Sequence, residues 1–260
     1  MPFLDTTPER KVHPMRFSVV IPTRNRPQFL TQAVTSVLDQ NFAADEILVV
    51  DDGHGAGMAL AGLSPRIRVL DNGSRGPVPA RNLGVETASG DVIAFLDDDD
   101  WWTDRSYLAK AAAVFDAGAA FCFGDGTMVF EDGRADLPYS FGADASTLER
   151  DNTILISAVT FRRALHAGMG RFDESLPYYW DWDWYLRVAR AGHLLHHIAQ
   201  PVVAIRVHAL NMSGDSLEVQ RRANLDAFAA KHGLQPIPLK NHLDIAQHAP
   251  GCPPTTNTPV

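Results

Sequence analysis

The chain has 260 residues, 45% of them hydrophobic, enough to bury a full core as one large α/β unit or as two halves sharing a cleft. Its formal net charge of −8 argues against a nucleic-acid binder, because phosphate contacts need clustered Lys and Arg. The two cysteines, Cys122 in an apolar run and Cys252 in a Pro-rich stretch, give neither a disulfide framework nor a cysteine-ligated zinc site, so a reducing, cytoplasmic compartment is expected.

Residues 1–15 are polar with scattered prolines and read as a loose leader without a secretion signal's apolar segment. "FSVVI" (17–21), β-branched and closed by Pro22, predicts a buried strand, and Ala33, Val37 and Leu38 follow at helical spacing. "EILVV" (46–50) is a second strand ending at Asp51 and Asp52, and "IRVL" (67–70) a third. A helix over 77–88 then leads to strand "VIAFL" (92–96). Such alternation predicts a mostly parallel sheet with flanking helices. Beyond Trp102 the pattern changes to a helix over about 104–117, then "AAFCF" and "TMVF" as antiparallel strands or hairpins around short loops and "EDGR". An amphipathic helix is expected from Ser216 to about Lys231, and a disordered Pro/Thr-rich tail beyond His248. No apolar run reaches membrane-spanning length. The expected organisation is therefore a leader (1–15), a nucleotide-type half (16–102), a smaller mixed region (103–215), a helical segment (216–247) and a tail (248–260).

Ligands of open parallel sheets bind beyond the carboxyl ends of the strands, which puts Asp51, Asp52 and Asp97 to Asp100 on one rim. In "DVIAFLDDDDWW" (91–102), carboxylates ~6 Å apart repel by roughly 3 kcal/mol per pair at an effective dielectric of ~20. The block therefore calls for a cation, and a hard divalent ion, Mg²⁺ or Mn²⁺, suits carboxylate oxygen. The plainer reading is a solvated acidic turn with Asp104 capping the next helix. "VVDDGHGAG" (49–57) fails as a dinucleotide fingerprint, since the third glycine would fall at Met58 or Leu60. Its carboxylates can instead accept from a base N–H or ribose hydroxyl, or start a turn. Trp182, Tyr185, Leu186 and Ala189 recur at helical spacing and read as core. Trp101 and Trp102 read as packing residues, with sugar stacking the lesser role. "GHLLHH" has no carboxylate at a spacing suited to zinc.

"FSVVIPTRNRPQFLTQAVTSVLDQ", "EILVVDDG", "GPVPARNLGVETASGDVIAFLDDDDWW", "FDESLP" and "DWDWYLRVA", in that order, resemble the GT-A family-two glycosyltransferases over about residues 16–213. The resemblance implies a GT-A (Rossmann-like) fold with an acceptor-side subregion, and an inverting enzyme using a nucleotide-diphospho-sugar. A UDP-sugar is favoured, a dTDP-sugar possible, and the acceptor is a carbohydrate or small molecule. It implies that Pro22, Thr23, Arg24 and Asn25 meet the nucleoside, that Asp52 bonds the pyrimidine base, and that Arg81 serves the donor phosphates or sugar. Asp97, Asp98 and Asp99 overlay the family's D-x-D region, with Asp99 the direct metal ligand and Asp97 or Asp98 nearer the ribose. Asp181 stands where the family has its general base, although Trp180 replaces the usual preceding acid and Asp183 competes for the role. The plainer reading of both is a helix cap. His208, in "IRVHALNMS", is a candidate metal ligand or an ordinary surface histidine. A nucleotidyltransferase would carry a Gly-rich loop after the first strand, which "IPTRNRPQF" lacks; a non-catalytic sugar-nucleotide-binding protein would keep the rim and lose the base.

Overall fold

A computed structural model describes residues 15–60, 62–208 and 217–247. Residues 1–14 of the expected leader (1–15) and the tail over 248–260 lie outside the described residues, as does 209–216, which includes Ser216. The four apolar runs of the first half form β1 (Phe17–Thr23), β2 (Glu46–Asp51), β3 (Ile67–Asp71) and β4 (Val92–Phe95). They pair in parallel in the order β3-β2-β1-β4, and β1, β2 and β4 are buried along their whole length. Residues covered on both faces read as unbroken apolar runs, which is how these strands announce themselves.

Helices cover both faces. Pro27 opens α1 (Pro27–Leu38), where its missing N–H costs nothing, and Leu30, Ala33, Val34 and Val37 pack on Val19, Ile21 and Val49. After the short α2 (Ala56–Ala59), α3 (Pro77–Thr87) lies on the other face, its Val78, Ala80 and Val85 against Val20, Leu48 and Val50. Gly84 permits this approach, because a Cβ there would stand 2.4 Å from Val20 Cγ1.

The sheet continues through β5 (Trp101–Trp102), β6 (Phe121–Phe130), β7 (Leu137–Tyr139), β8 (Val159–Arg162) and β9 (Leu195–Val207) to nine strands among the described residues, in the order β3-β2-β1-β4-β8-β6-β9-β5 with β7 beside β6. The pairs β4–β8, β8–β6, β6–β7 and β5–β9 are antiparallel, so the mixed character expected beyond Trp102 is present. "AAFCF" and "TMVF" are one strand, however, not two. The intervening Gly-Asp-Gly runs on inside β6, with register shifts against β9 on either side of Asp125. Glycine is needed there: a Cβ on Gly124 or Gly126 would meet Val202 or Leu155 at 2.5 Å. The hairpin falls instead between β6 and β7, across "EDGR".

The remaining helices are α4 (Tyr107–Asp116), α5 (Ala145–Leu148), α6 (Arg163–Met169), α7 (Trp180–Arg190), α8 (Glu218–His232) and α9 (His242–Gln247). Trp182, Tyr185 and Leu186 bury one side of α7, as their spacing predicts, and Trp182 stacks on Phe228 of α8. Trp102 is buried with its indole N–H on the Ser157 carbonyl (2.8 Å), a packing role, while the Arg206 guanidinium lies over Trp101.

Candidate active site

The carboxyl ends of β1, β2 and β4 open into a cleft of roughly 530 Å³ lined by Pro22, Thr23, Arg24, Arg26, Asp52, Arg81 and Asp97 to Asp100. At the end of β2 two adjacent aspartates do different work, since successive side chains point to opposite sides. Asp51 is structural: its carboxylate accepts from the backbone N–H of Gly53 (2.9 Å) and Ala56 (3.0 Å) and holds the turn. Asp52 faces the cleft, 3% exposed, accepting from Gly76 N–H (2.9 Å) and the Asn72 amide, with Arg24 at 3.9 Å. The positive φ of Gly76 (103°) lets the backbone turn into α3 while presenting that N–H. Asn25 does not line the cleft; its Oδ1 accepts from His54 N–H (3.1 Å) and so ties the β1 loop to the β2 loop.

Past β4 the four carboxylates have separate partners. Asp97 pairs with Arg81, whose guanidinium also lies 4.7 Å from the Trp180 ring centroid. Asp98 accepts from Thr23 Oγ1 (2.6 Å) and Arg26 (3.3 Å). Asp99 is held by Arg26 (2.6 Å) and faces His208 Nε2 (3.0 Å). Asp100 accepts from Ser157 Oγ (2.5 Å) and Arg206 N–H (3.0 Å). Burial, with the Asp99 charge adding to it, pushes Asp97 and Asp100 up and carries Asp98 up to about 6. For Asp99 burial also pushes upward, but the His208 hydrogen bond and the Arg26 charge outweigh it, and its pKa lies below the usual carboxylate value.

One oxygen each of Asp97, Asp99 and Asp100 falls within 4.8 Å of the others, the one such acid or histidine cluster among the described residues. Hard oxygen donors, mutual repulsion and a guanidinium already drawn onto Asp99 all fit a divalent cation. Asp104, by contrast, turns the chain into α4, accepting from Ser106 N–H (2.8 Å), and pairs with Lys110 on that helix (2.6 Å).

Across the cleft stands Asp181, 9% exposed in the first turn of α7. Asn152 donates to its Oδ2 (3.0 Å), and burial lifts its pKa to about 6 against the opposing pull of Trp182 N–H and Asn152. Asp183 points elsewhere: it is fully buried and bound by Arg187 (2.9 Å), Lys231 (2.7 Å) and His232 (2.8 Å), outside the cleft lining. Helical geometry rotates residues two apart by about 200°, which separates the two candidates. His197 of "GHLLHH" meets Asp125 (2.6 Å) and stacks on Phe123, away from the cleft residues. Among the lining residues, Asn152, Tyr179, Arg221 and His242 carried no sequence signal; Arg26 stood inside a quoted motif but was not singled out, and Asp100 was placed on the rim without a role of its own.

A sheet whose carboxyl edge carries an acidic rim, facing a buried helix-start aspartate across one cleft, defines a GT-A-type glycosyltransferase. The model of the family "Glycosyl transferase family 2" matches residues 18–171, and the chain belongs to that family. The uncharacterized glycosyltransferase YwdF of Bacillus subtilis (strain 168) is 32% identical over 242 residues, covering 87% of this chain and 88% of that protein. The poly(ribitol-phosphate) β-N-acetylglucosaminyltransferase TarS of Staphylococcus aureus (strain MW2) is 31% identical over 110 residues, 39% of this chain and only 19% of that protein. In structure, S. aureus TarS 1–349 in complex with UDP-GlcNAc is similar at TM-score 0.65 and 18% identity, over 84% of this chain and 66% of that one. The mannosyltransferase PcManGT of Pyrobaculum calidifontis, in complex with GDP-Man and Mn²⁺, is similar at TM-score 0.62 and 18% identity, over 91% of this chain and 69% of that one.

Proposed function

We propose that the protein is an inverting, metal-dependent glycosyltransferase that moves a hexosyl group from a nucleotide-diphospho-sugar to an acceptor hydroxyl or amine, in the cytoplasm. The observation that carries this reading is Asp181, a buried carboxylate with a pKa of about 6 in the same cleft as the acidic rim. Asp52 accepts a hydrogen bond from the base, Thr23 and Arg24 bound the nucleoside, and Arg81 meets the donor phosphates or sugar. Asp97, Asp99 and Asp100, with His208 beside Asp99, are the groups that would hold Mg²⁺ or Mn²⁺, which supplies charge neutralisation for the departing diphosphate. Asp181 takes the acceptor's proton as its oxygen or nitrogen bonds the anomeric carbon and the bond from that carbon to the phosphate oxygen breaks; a single displacement inverts the centre. Residues 16–102 serve the donor and 103–215 the acceptor. A UDP-sugar donor is supported by the UDP-GlcNAc complex of TarS and by Asp52 facing the base end of the cleft.

The test is incubation with UDP-, dTDP- and GDP-sugars and Mn²⁺. Release of nucleoside diphosphate, lost in Asp181→Asn, is the expected result. Pyrophosphate release would make the protein a nucleotidyltransferase, and binding without turnover a sugar-nucleotide-binding protein.

A further inference from the structure

Among the described residues on the side of the cleft built by α7 and α9, two buried polar groups have unused hydrogen-bonding capacity: His242 Nε2, without a partner, and the Tyr179 hydroxyl, which leans on the Arg221 side chain and has no acceptor for its own proton. Buried polar groups in folded chains are nearly always paired, and an unpaired one lining a cleft marks a place where a ligand completes the bond. Arg81 Nε is the other such atom in the cleft lining, and it belongs to the rim.

The two atoms differ in what they ask for. The His242 ring is bonded to the Asn152 backbone, which a ring N–H does by donating to the carbonyl, so Nε2 is left as a lone pair. Burial and the Arg221 charge hold the ring neutral, with a pKa of about 4, and it therefore offers only an acceptor there at neutral pH. An acceptor-only group such as a phosphate oxygen or carboxylate cannot satisfy it; a hydroxyl can. Tyr179 is 7% exposed, and its hydroxyl stays protonated through burial beside the Arg221 guanidinium, keeping an O–H to donate. His242 is linked to Asp181 through Asn152, and Tyr179, two residues before Asp181, lies within reach of that carboxylate's charge. The Asn152 backbone holds His242, while its side-chain amide holds Asp181 Oδ2 at 3.0 Å. Lys240, on the same lining, is occupied by Asp151 (2.7 Å).

We propose that Tyr179 and His242 form the acceptor subsite and select a sugar ring, His242 Nε2 accepting from a hydroxyl neighbouring the attacked one and Tyr179 donating to a second ring-borne oxygen. This deepens the glycosyltransferase reading and rests on it. It excludes simple alcohols and amines as good acceptors, since they leave both groups unsatisfied.

The experiment uses the full chain with a turned-over UDP-sugar and Mn²⁺, measuring UDP release against p-nitrophenyl glycosides, 1-octanol and octylamine. The expected result is stimulation by at least one glycoside and by neither octanol nor octylamine. His242→Leu and Tyr179→Phe should each raise the glycoside KM by about tenfold, the equivalent of one lost hydrogen bond, with kcat changed far less. His242→Gln, which restores an acceptor oxygen, should recover part of the loss, and UDP affinity by calorimetry should stay within about twofold of wild type. If His242→Leu fails to fold, Tyr179→Phe, which deletes one oxygen, carries the test alone. Unchanged glycoside KM in the folded variants, equal stimulation by octanol or octylamine, or no stimulation by any glycoside overturns the subsite. A wild-type chain that binds none of UDP, dTDP and GDP in calorimetry overturns the glycosyltransferase reading itself.

Discussion

Asp181 is buried among aromatic residues at the start of α7, and under the proposed role as general base that position would serve proton transfer at a cost in stability. Its pKa of about 6 means that turnover should fall as pH drops below 6, where the carboxylate is protonated and cannot take the acceptor's proton; a pH–rate profile of kcat checks this. Asp181→Asn should lower kcat by ~10² or more with donor affinity unchanged. The linkage runs in a definite direction. A carboxylate whose folded pKa is raised binds more protons folded than unfolded, so it destabilises increasingly as pH rises from about 4 to 6. Asp181→Asn, which keeps a partner for Asn152, should therefore melt higher than wild type at pH 7, by an amount equivalent to roughly 2–3 kcal/mol, and the gap should close by about pH 4. A variant less stable at pH 7 would show that the buried charge is compensated. Asp52→Ala should weaken UDP binding with or without metal, as measured by calorimetry, because in the proposed function the group it removes bonds the base and not the ion.

At the scale of elements, the site depends on α3 and the segment before α7 being held together. Asn82, fully buried on α3, donates to the Phe172 carbonyl (3.1 Å) and accepts from Phe172 N–H (3.1 Å), so one side chain satisfies both backbone groups of a residue 90 positions away. Asn82→Ala strands those groups and should cost about 2–3 kcal/mol, read as a lower midpoint in urea with the slope unchanged. Arg81, one residue earlier, links Asp97 to the Trp180 face, so the same helix carries a cation from the acidic rim toward α7. Trp180 at the place of the family's usual acid makes sense in this setting: an aromatic face steadies the guanidinium without adding a carboxylate to a crowded acidic cleft.

For the molecule as a whole, the carboxylates gathered at one corner make folding and cation binding a linked pair. An ion that binds the folded chain at Asp97, Asp99 and Asp100 raises the melting temperature with concentration, because the unfolded chain, although it keeps these aspartates adjacent in sequence, does not hold their oxygens converged on one point. Mn²⁺ at concentrations near 100 times its Kd should add about 2.7 kcal/mol, and Asp99→Asn should abolish most of the shift in a thermal scan. An equal Mn²⁺ response in Asp99→Asn would remove that residue from the ion's coordination.

The alternation of buried strands and helices, the rim of Asp52 and Asp97 to Asp100, and Asp181 at a helix start were legible in the residue order, because strand runs, Pro and Gly breaks and carboxylate clusters are local signals. Periodicity also placed Trp182, Tyr185 and Leu186 in the core. Tertiary structure alone separated Asp51 from Asp52 and Asp181 from Asp183, joined "AAFCF" to "TMVF" as one bulged strand, turned Asn25 away from the cleft, and brought Asn152, Arg221 and His242 into the cleft that holds Asp181. The physical reason is that a side chain's direction and its partners across 30 to 90 positions are set by packing and hydrogen bonding between elements, and neither leaves a mark in the residues immediately around it.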